Sequence, residues 1–531
     1  MPKRTRRCAE GHVGHLVLSE RLLALRSQPI DLSSSWMITI LVSRESRGHA
    51  SRRRRVQSGA PIFNETVLPG RTYSEFCTQR QSIPHPTQTS PRRKFGMVSI
   101  PQQQQDTIRS MMSRAVENNT LPALFCGVTN HHGEIFMHQA GRKVLGDPSS
   151  DPLDESAIFW ICSMTKLITS IAAMQQIEQG KIQLSTRVSD ILPELANPVT
   201  VTARDADGKP TATAPAKNPI TFGQLLNHSS GLAYPQSGVA YGSHSYKDSS
   251  AWLDKIKGTF SGQPLSFEPG SDCECPHICS LNSSHLPQLL TAFPRTVSVS
   301  LSNECLGNRW INICECRTSV HQQWPNAPFS SKDHIFSPLN ITSPSFYLTA
   351  DLKERLLPLS VRNSENKLEK WTNQVEIINR DPEKTAVHLG GVGLYSSLKD
   401  YLALLRHLLQ IKAGTGVNPI LSAASVATLF EPTLDVPAAN SLAKMLGMPE
   451  GSVQFSTGQM LATADVPGRR KKGTGAWGGF ASTSYFIDPE TGIAAVFGTQ
   501  LVPTSADYDV AYENLWSEVE EAIYAGLQNA T

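Results

Sequence analysis

The chain has 531 residues, 39% of them hydrophobic and 18% charged, with a formal net charge of +3. That length supports a large core and more than one lobe, the composition is that of a soluble globular protein, and the longest apolar stretches are too short or too interrupted to span a membrane. The charge is uneven: residues 1–95 hold 17 Lys+Arg against 6 Asp+Glu, so the remainder carries a net −8 and gives no reason to expect nucleic acid as a partner.

Residues 1–96 include Arg52-Arg53-Arg54-Arg55, clusters of Ser and Pro, and no sustained period of 2 or 3.6. Three readings stand: a transit peptide or basic interaction tail, a disordered extension, or sequence upstream of a real start at Met97. From 102 to 118 the pattern turns helical, with Ile108, Met111, Met112 and Val116 as the apolar stripe. Residues 124–129 predict a buried strand, Asn130-His131-His132-Gly133 a turn, and 134–138 the return strand.

Next comes an apolar approach, Ile158-Phe159-Trp160-Ile161-Cys162, into Ser163-Met164-Thr165-Lys166. A serine hydroxyl is a poor nucleophile while it holds its proton. A lysine three residues on along a helix shares its face, and a lysine made neutral by burial can take that proton. Leu167, Ile168, Ile171, Ala172, Met174 and Ile177 continue at helical spacing to Gly180, a C-terminal cap. The plain alternative is a core helix with a buried Ser. A lysine in the first turn of so apolar a helix is costly unless partnered or functional.

Residues 181–192 predict a short segment ending at Pro193, and 198–218, rich in Thr, Ala and Pro, a loop excursion. LLNHSSGL, from Leu225 to Leu232, predicts the end of a short capped helix and a turn closing on Gly231. Phe267-Glu268-Pro269-Gly270-Ser271 then runs into a Cys- and Ser-rich stretch. Six of the ten cysteines (Cys273, Cys275, Cys279, Cys305, Cys314, Cys316) fall within 44 residues there. Their spacings match no common zinc finger even with His277, and no secretory leader supports a disulfide framework, so no metal site is expected.

Pattern returns at Ile335-Phe336-Ser337-Pro338-Leu339 and again at Gly390-Gly391-Val392-Gly393-Leu394-Tyr395-Ser396-Ser397, which leads into a helix over 400–409. Arg469-Arg470-Lys471-Lys472-Gly473-Thr474 precedes Trp477-Gly478-Gly479-Phe480 and a strand beginning near Ser484. Asp488-Pro489-Glu490-Thr491-Gly492 predicts a hairpin turn, 493–501 its return strand, and 507–527 a closing helix.

Taken together and in order, the SMTK, LLNHSSGL, FEPGS, GGVGLYSS and WGG segments resemble the serine β-lactamase-related superfamily. That group includes class C β-lactamases, D-alanyl-D-alanine carboxypeptidases, family VIII esterases and fungal transesterases of the lovastatin type. The resemblance runs from about residue 100 to the C-terminus. It implies an α+β fold of the β-lactamase/transpeptidase type: an antiparallel sheet flanked by helices, from 100–160 and 475–531, with a mostly helical lobe between and Ser163 at the boundary. It implies Ser163 as nucleophile, Lys166 as its proton acceptor, and Trp477, Gly478 and Gly479 lining the site opposite, where glycines allow close backbone approach and a backbone N–H helps bind the oxyanion. WGG stands where penicillin-binding enzymes carry K-T-G, which argues against a dedicated β-lactamase.

The RRKKGT to IDPETG neighbourhood looks most like the fungal transesterase branch. That implies a cytoplasmic enzyme moving an acyl group, from a small-molecule donor such as a thioester or a carrier-protein-bound acyl group, onto an alcohol of a secondary metabolite. No cofactor, metal or membrane is implied. Two departures matter. The family's third catalytic residue, a tyrosine shortly after F-x-P-G, is missing: no tyrosine occurs between Tyr246 and Tyr347, and Tyr234, Tyr241 and Tyr246 are the nearby substitutes. Residues 272–330 read as foreign to the fold, as retained intron or a reading-frame error, within a catalytic domain of 97–531. The leading function is therefore a serine acyltransferase. The alternatives are an esterase or β-lactamase-like hydrolase using the same acyl-enzyme, and a catalytically impaired binding protein on the same fold.

Overall fold

The computed structural model describes residues 97–191, 195–206, 208–232, 264–273, 331–371, 390–503 and 509–530. The basic extension over 1–96, Pro193, Tyr234, Tyr241, Tyr246, and the 272–330 stretch apart from Asp272 and Cys273 lie outside the described residues.

Strand β1 (Met97–Ser99) leads into helix α1 (Gln102–Glu117). β2 (Leu124–Asn130) and β3 (Glu134–Ala140) form the hairpin expected there, and the Asn130 side chain accepts the His132 and Gly133 N–H groups across its turn. β4 (Ile158–Trp160) enters a 3-10 turn (Cys162–Met164) and then α2 (Thr165–Glu178), which Gly180 ends at φ +68°.

β5 (Val199–Arg204) and β6 (Pro210–Pro215) pair as an exposed hairpin, correcting the loop expected over 198–218. β5 does alternate, Val199, Val201 and Ala203 with Thr200, Thr202 and Arg204, but its Val positions are only half-buried, and β6, built of Pro, Thr and Ala, carries no apolar pattern. α3 (Phe222–Leu226) starts on a capping box between Thr221 and Gln224.

After a short helix α4 (Ala350–Glu354) come β7 (Ser360–Arg362), β8 (Leu368–Lys370) and β9 (Tyr395–Ser397). Helix α5 (Leu398–Ala413) is capped by Ser397 and closed by Gly414, so it is longer at both ends than the 400–409 expected. α6 (Ala423–Thr428) and α7 (Val436–Met445) lead to β10 (Val453–Phe455), β11 (Met460–Ala462), β12 (Gly475–Gly479), β13 (Thr483–Asp488), β14 (Ile493–Gly498) and β15 (Leu501–Val502). Helix α8 (Val510–Gly526), capped by Asp509, and β16 (Gln528–Ala530) follow.

Seven strands form one antiparallel sheet in the order β10-β11-β12-β13-β14-β2-β3. It is wider by β10 and β11 than the segments expected to build it. Its central strands are apolar on both faces because helices cover both. Leu124, Cys126, Val128, Ala495 and Phe497 face Ile108 and Met112 of α1 and Trp516, Val519 and Ile523 of α8. The alternate residues Phe125, Ala494, Val496 and Tyr485 share a second cluster with Tyr401, Leu402 and Leu405 of α5 and Leu167, Ile168 and Ile171 of α2. The serine-bearing turn therefore sits between this second layer and the edge of β12.

Candidate active site

The site is built from the turn that joins β4 to α2. Cys162 adopts φ +46°, a left-handed conformation that costs a side-chain-bearing residue, and so swings the chain sharply from strand to helix. Cys162, Met164, Thr165, Leu167, Ile168 and Ser170 are buried, while Ser163, Lys166 and Thr169 are only half-buried. These three, each three residues apart, form the one stripe of this helix start that opens outward. Burial pushes the Cys162 thiol well above its ordinary range, so it is a packed neutral group.

Lys166 Nζ lies 2.9 Å from Ser163 Oγ and donates to the Gly391 carbonyl at 2.9 Å. A neutral amine in this position can donate to the carbonyl and still offer its lone pair to the serine proton. Residues 390, 391, 392 and 394 are fastened to the end of β4 and the helix start. Thr169 Oγ1 donates to Gly390 O at 2.6 Å, Trp160 Nε1 to Val392 O at 2.7 Å, Leu394 N to Thr165 Oγ1 at 3.2 Å, and Ile161 N to Leu394 O at 3.1 Å. Tyr401 of α5 supports the turn from beneath, its hydroxyl donating to Met164 O at 3.0 Å. Burial, with Tyr485 beside it, raises the Tyr401 pKa far above a free phenol, so that hydroxyl keeps its proton.

β12 closes the opposite side. A Cβ on Gly479 would stand 2.5 Å from Ile161 O, 2.4 Å from Thr483 Oγ1 and 3.2 Å from Cys162 Cβ, so only glycine allows the strand this close to the serine turn. Trp477 stacks on His228, with ring centroids 6.2 Å apart and planes at 18°, and Phe455 meets both rings edge-on. His228 belongs to LLNHSSGL and sits at φ +64°. Ser229 Oγ donates to Asn227 Oδ1 at 2.6 Å, and Gly270 N of the FEPGS segment donates to Ser229 O at 2.8 Å. Cys273 is buried in the cluster that holds Phe455, with Trp477 packed against it.

The five residues singled out from the sequence thus meet around one turn: Ser163 and Lys166 in hydrogen-bond reach, Gly478 and Gly479 on the facing strand, and Trp477 one residue before them, held by His228 and Phe455. The Arg469-Arg470 pair turns away, both guanidiniums binding Glu520 of α8. Sequence reasoning gave no role to the carbonyls of 390–394, to Thr169, to Tyr401 or to Gln500. The Gln500 side-chain amide accepts from Trp160 N at 2.9 Å and donates to Trp160 O at 3.3 Å. The only sequence signal for the 390–394 wall was its glycine spacing. The hydroxyls of Tyr485, Tyr512 and Tyr524 are engaged elsewhere: Tyr485 on Gln459, Tyr512 on Ser484 and Phe497 O, and Tyr524 on Asp488. Among the described residues no group of three or more His, Cys, Asp or Glu is arranged to hold a metal ion.

The Beta-lactamase family profile matches residues 108–274 and 330–520, which takes in every wall of this site. The chain belongs to the Beta-lactamase family. Within the family it is 28% identical over 404 residues to a lovastatin esterase of Penicillium rubens, covering 72% of this chain and 90% of that one. It is 25% identical over 448 residues to monacolin J acid methylbutanoyltransferase of Aspergillus terreus, covering 79% and 94%. Among solved structures it resembles simvastatin synthase from Aspergillus terreus, at a TM-score of 0.59 and 20% identity over 80% of this chain and 98% of that one, which places the fold in the β-lactamase/transpeptidase class. Among the described residues no helix is long and apolar enough to cross a membrane.

Proposed function

We propose that this chain is a serine acyltransferase that carries an acyl group on Ser163 and passes it to an alcohol. The observation that carries the proposal is the 2.9 Å approach of Lys166 Nζ to Ser163 Oγ on a half-buried stripe of an otherwise buried helix start. Ser163 Oγ attacks the acyl carbonyl carbon of a small-molecule donor while its proton passes to Lys166. Backbone N–H groups at the serine and on β12 receive the oxyanion, and the ammonium returns a proton to the leaving group. The acceptor alcohol then attacks the acyl-enzyme and gives its proton to Lys166; the bond from the acyl carbon to Ser163 Oγ breaks, Lys166 passes that proton to the serine oxygen, and the ester leaves. A thioester or carrier-bound acyl group as donor, a secondary-metabolite alcohol as acceptor, and a cytoplasmic setting belong to the same proposal. Relatives named acyltransferase and methylbutanoyltransferase support it.

The esterase named among the relatives favours a second reading in which water is the acceptor. Both readings share the acyl-enzyme and differ in how well the closed site excludes water. We assign the acylating body to 97–531. The family match pauses between 274 and 330, which supports reading the part of 272–330 beyond residue 274 as foreign to it, while Asp272 and Cys273 lie within the match. A mature transcript encoding that stretch in frame would overturn this assignment.

Intact-mass measurement after exposure to an activated acyl thioester, beside a Ser163→Ala control, tests the nucleophile. One added acyl mass, absent from the control, is expected. No adduct on a folded sample would shift the reading to a binding protein that lacks the family tyrosine. Ester yield against free acid, with and without added alcohol, separates transfer from hydrolysis.

A further inference from the structure

We infer that Thr169 is a positioning residue for acylation, holding Lys166 against Ser163 through the peptide that joins Gly390 and Gly391. A helical threonine ordinarily turns its hydroxyl back onto a carbonyl of the preceding turn of its own helix. Thr169 reaches across instead and donates to Gly390 O at 2.6 Å. The next carbonyl along, Gly391 O, accepts from Lys166 Nζ at 2.9 Å, and the same Nζ lies 2.9 Å from Ser163 Oγ.

Two adjacent carbonyls are thus addressed by two side chains one helical turn apart. Fixing the first narrows the directions open to the second. The glycines at 390 and 391 leave that segment without side chains to hold it, so its orientation depends on such bonds. Burial agrees: Ser163, Lys166 and Thr169 are the half-buried members of a helix start whose other residues are buried. A lysine amine on a flexible stem has many rotamers, and only those that aim its lone pair at the serine proton are productive. The Gly391 carbonyl, next along from the Gly390 carbonyl that Thr169 holds, selects among them. The motif read from the sequence as Ser163 and Lys166 therefore extends one turn further, to Thr169.

This inference rests on the serine-lysine reading above, and the experiment separates the two. The full chain, Thr169→Val and Thr169→Ser are mixed rapidly with the butyryl thioester of N-acetylcysteamine and followed by intact mass. The final amplitude counts competent molecules, and the rate constant reports each competent site. Valine keeps the shape and branching of threonine without the hydroxyl. The Val variant is expected to lose about tenfold in acylation rate constant at saturating thioester, with unchanged amplitude and an unchanged half-saturation concentration. The Ser variant, which keeps the hydroxyl, is expected to recover to within about twofold of the parent.

A purely structural tie would lower the amplitude or the melting temperature and leave the rate constant alone; that result overturns the inference. So does a Ser variant as slow as the Val variant. If the Val variant fails to fold, the Ser variant and Thr169→Asn decide: equal rate constants in all folded forms, whatever the hydrogen-bonding reach of residue 169, overturn it. A parent chain that gains no adduct overturns the serine-lysine reading itself, and this inference with it.

Discussion

At Gly479 one methyl group decides whether a strand and the serine-bearing turn can share their space. The added Cβ would press on the Ile161 carbonyl and on Thr483 Oγ1, both inside ordinary contact distance, and backbone on one side cannot swing away. Gly479→Ala is expected to cost about 1–3 kcal/mol of stability, as overpacked sites do, and to slow Ser163 acylation by pushing β12 off the turn. Urea unfolding and the acyl-adduct rate on the same sample check both. A variant that acylates at the parental rate would show that β12 does not set the site.

The residues legible in the sequence were those whose chemistry is local. Ser163 and Lys166 lie within one turn of each other, and the glycines of WGG announce a close approach without saying to what. Thr169 and Tyr401 were illegible because their partners, Gly390 O and Met164 O, lie more than 200 residues away along the chain. Cys162 was legible as an apolar residue but not as a left-handed one, since nothing in the sequence marks that conformation outside glycine and asparagine.

β4 is only three residues long and pairs with β9 through Ile158, Phe159 and Trp160. Its end nearest the serine is completed by Gln500, whose amide meets both the N–H and the C=O of Trp160 in place of a neighbouring strand. Gln500 is buried, and so is Trp160. Gln500→Ala leaves both backbone groups without that partner, so about 2–4 kcal/mol of stability is expected to go, together with part of the acylation rate. A thermal melt and the adduct rate check it, and an unchanged melt would show that water replaces the amide.

Elements with apolar periodicity were readable: α1, the β2–β3 hairpin, α2 with its Gly180 ending, and the closing helix α8. Boundaries slipped by a few residues where caps set them, as at Ser397 and Asp509. The β5–β6 hairpin was missed because the short Val-Thr alternation of β5 is followed by a β6 of Pro, Thr and Ala with no buried residue. The extra width from β10 and β11 was missed for a different reason. Both are three-residue strands, too short for alternation to show.

Two hydrophobic layers on either side of the sheet organise the whole body, and a buried charge cluster pins the last helix to it. Glu520 is fully buried and accepts from Arg470 Nε at 2.7 Å, with Arg469 also in contact, while Arg470 lies over the Phe486 ring. Burial pushes the Glu520 carboxyl up, but the hydrogen bonds and charges of Arg470 and Arg469 outweigh it and leave the pKa below its ordinary 4.5. The carboxylate therefore adds stability above about pH 4.5, which is lost as pH falls through its lower folded value.

Glu520→Gln is expected to cost about 3–5 kcal/mol at neutral pH, because two guanidiniums keep their burial and lose their counter-charge. As pH falls below about 4.5 and through the lower folded value, the gap between variant and parent should narrow. Glu513, whose carboxyl burial pushes up, has the opposite pH dependence, so the difference between the two proteins is the quantity to follow by urea unfolding. A gap that stays constant with pH would show that Glu520 acts through packing alone.

β1 and β16 are neighbours, with Met97 opposite Ala530 in antiparallel register. The first and last of the described residues are thus a single ladder rung apart, roughly 5 Å. The body between them has the continuity of a ring that happens to be cut at one rung. Joining Ala530 to Met97 through a short glycine linker, and reopening the backbone in the exposed turn between β5 and β6, would give a protein in which WGG precedes the serine in sequence. That circular permutant is expected to fold and to take up an acyl group on Ser163, since the order of its motifs in space is unchanged. Loss of folding would mean that the hairpin turn, and not the rung, is where the chain must remain whole.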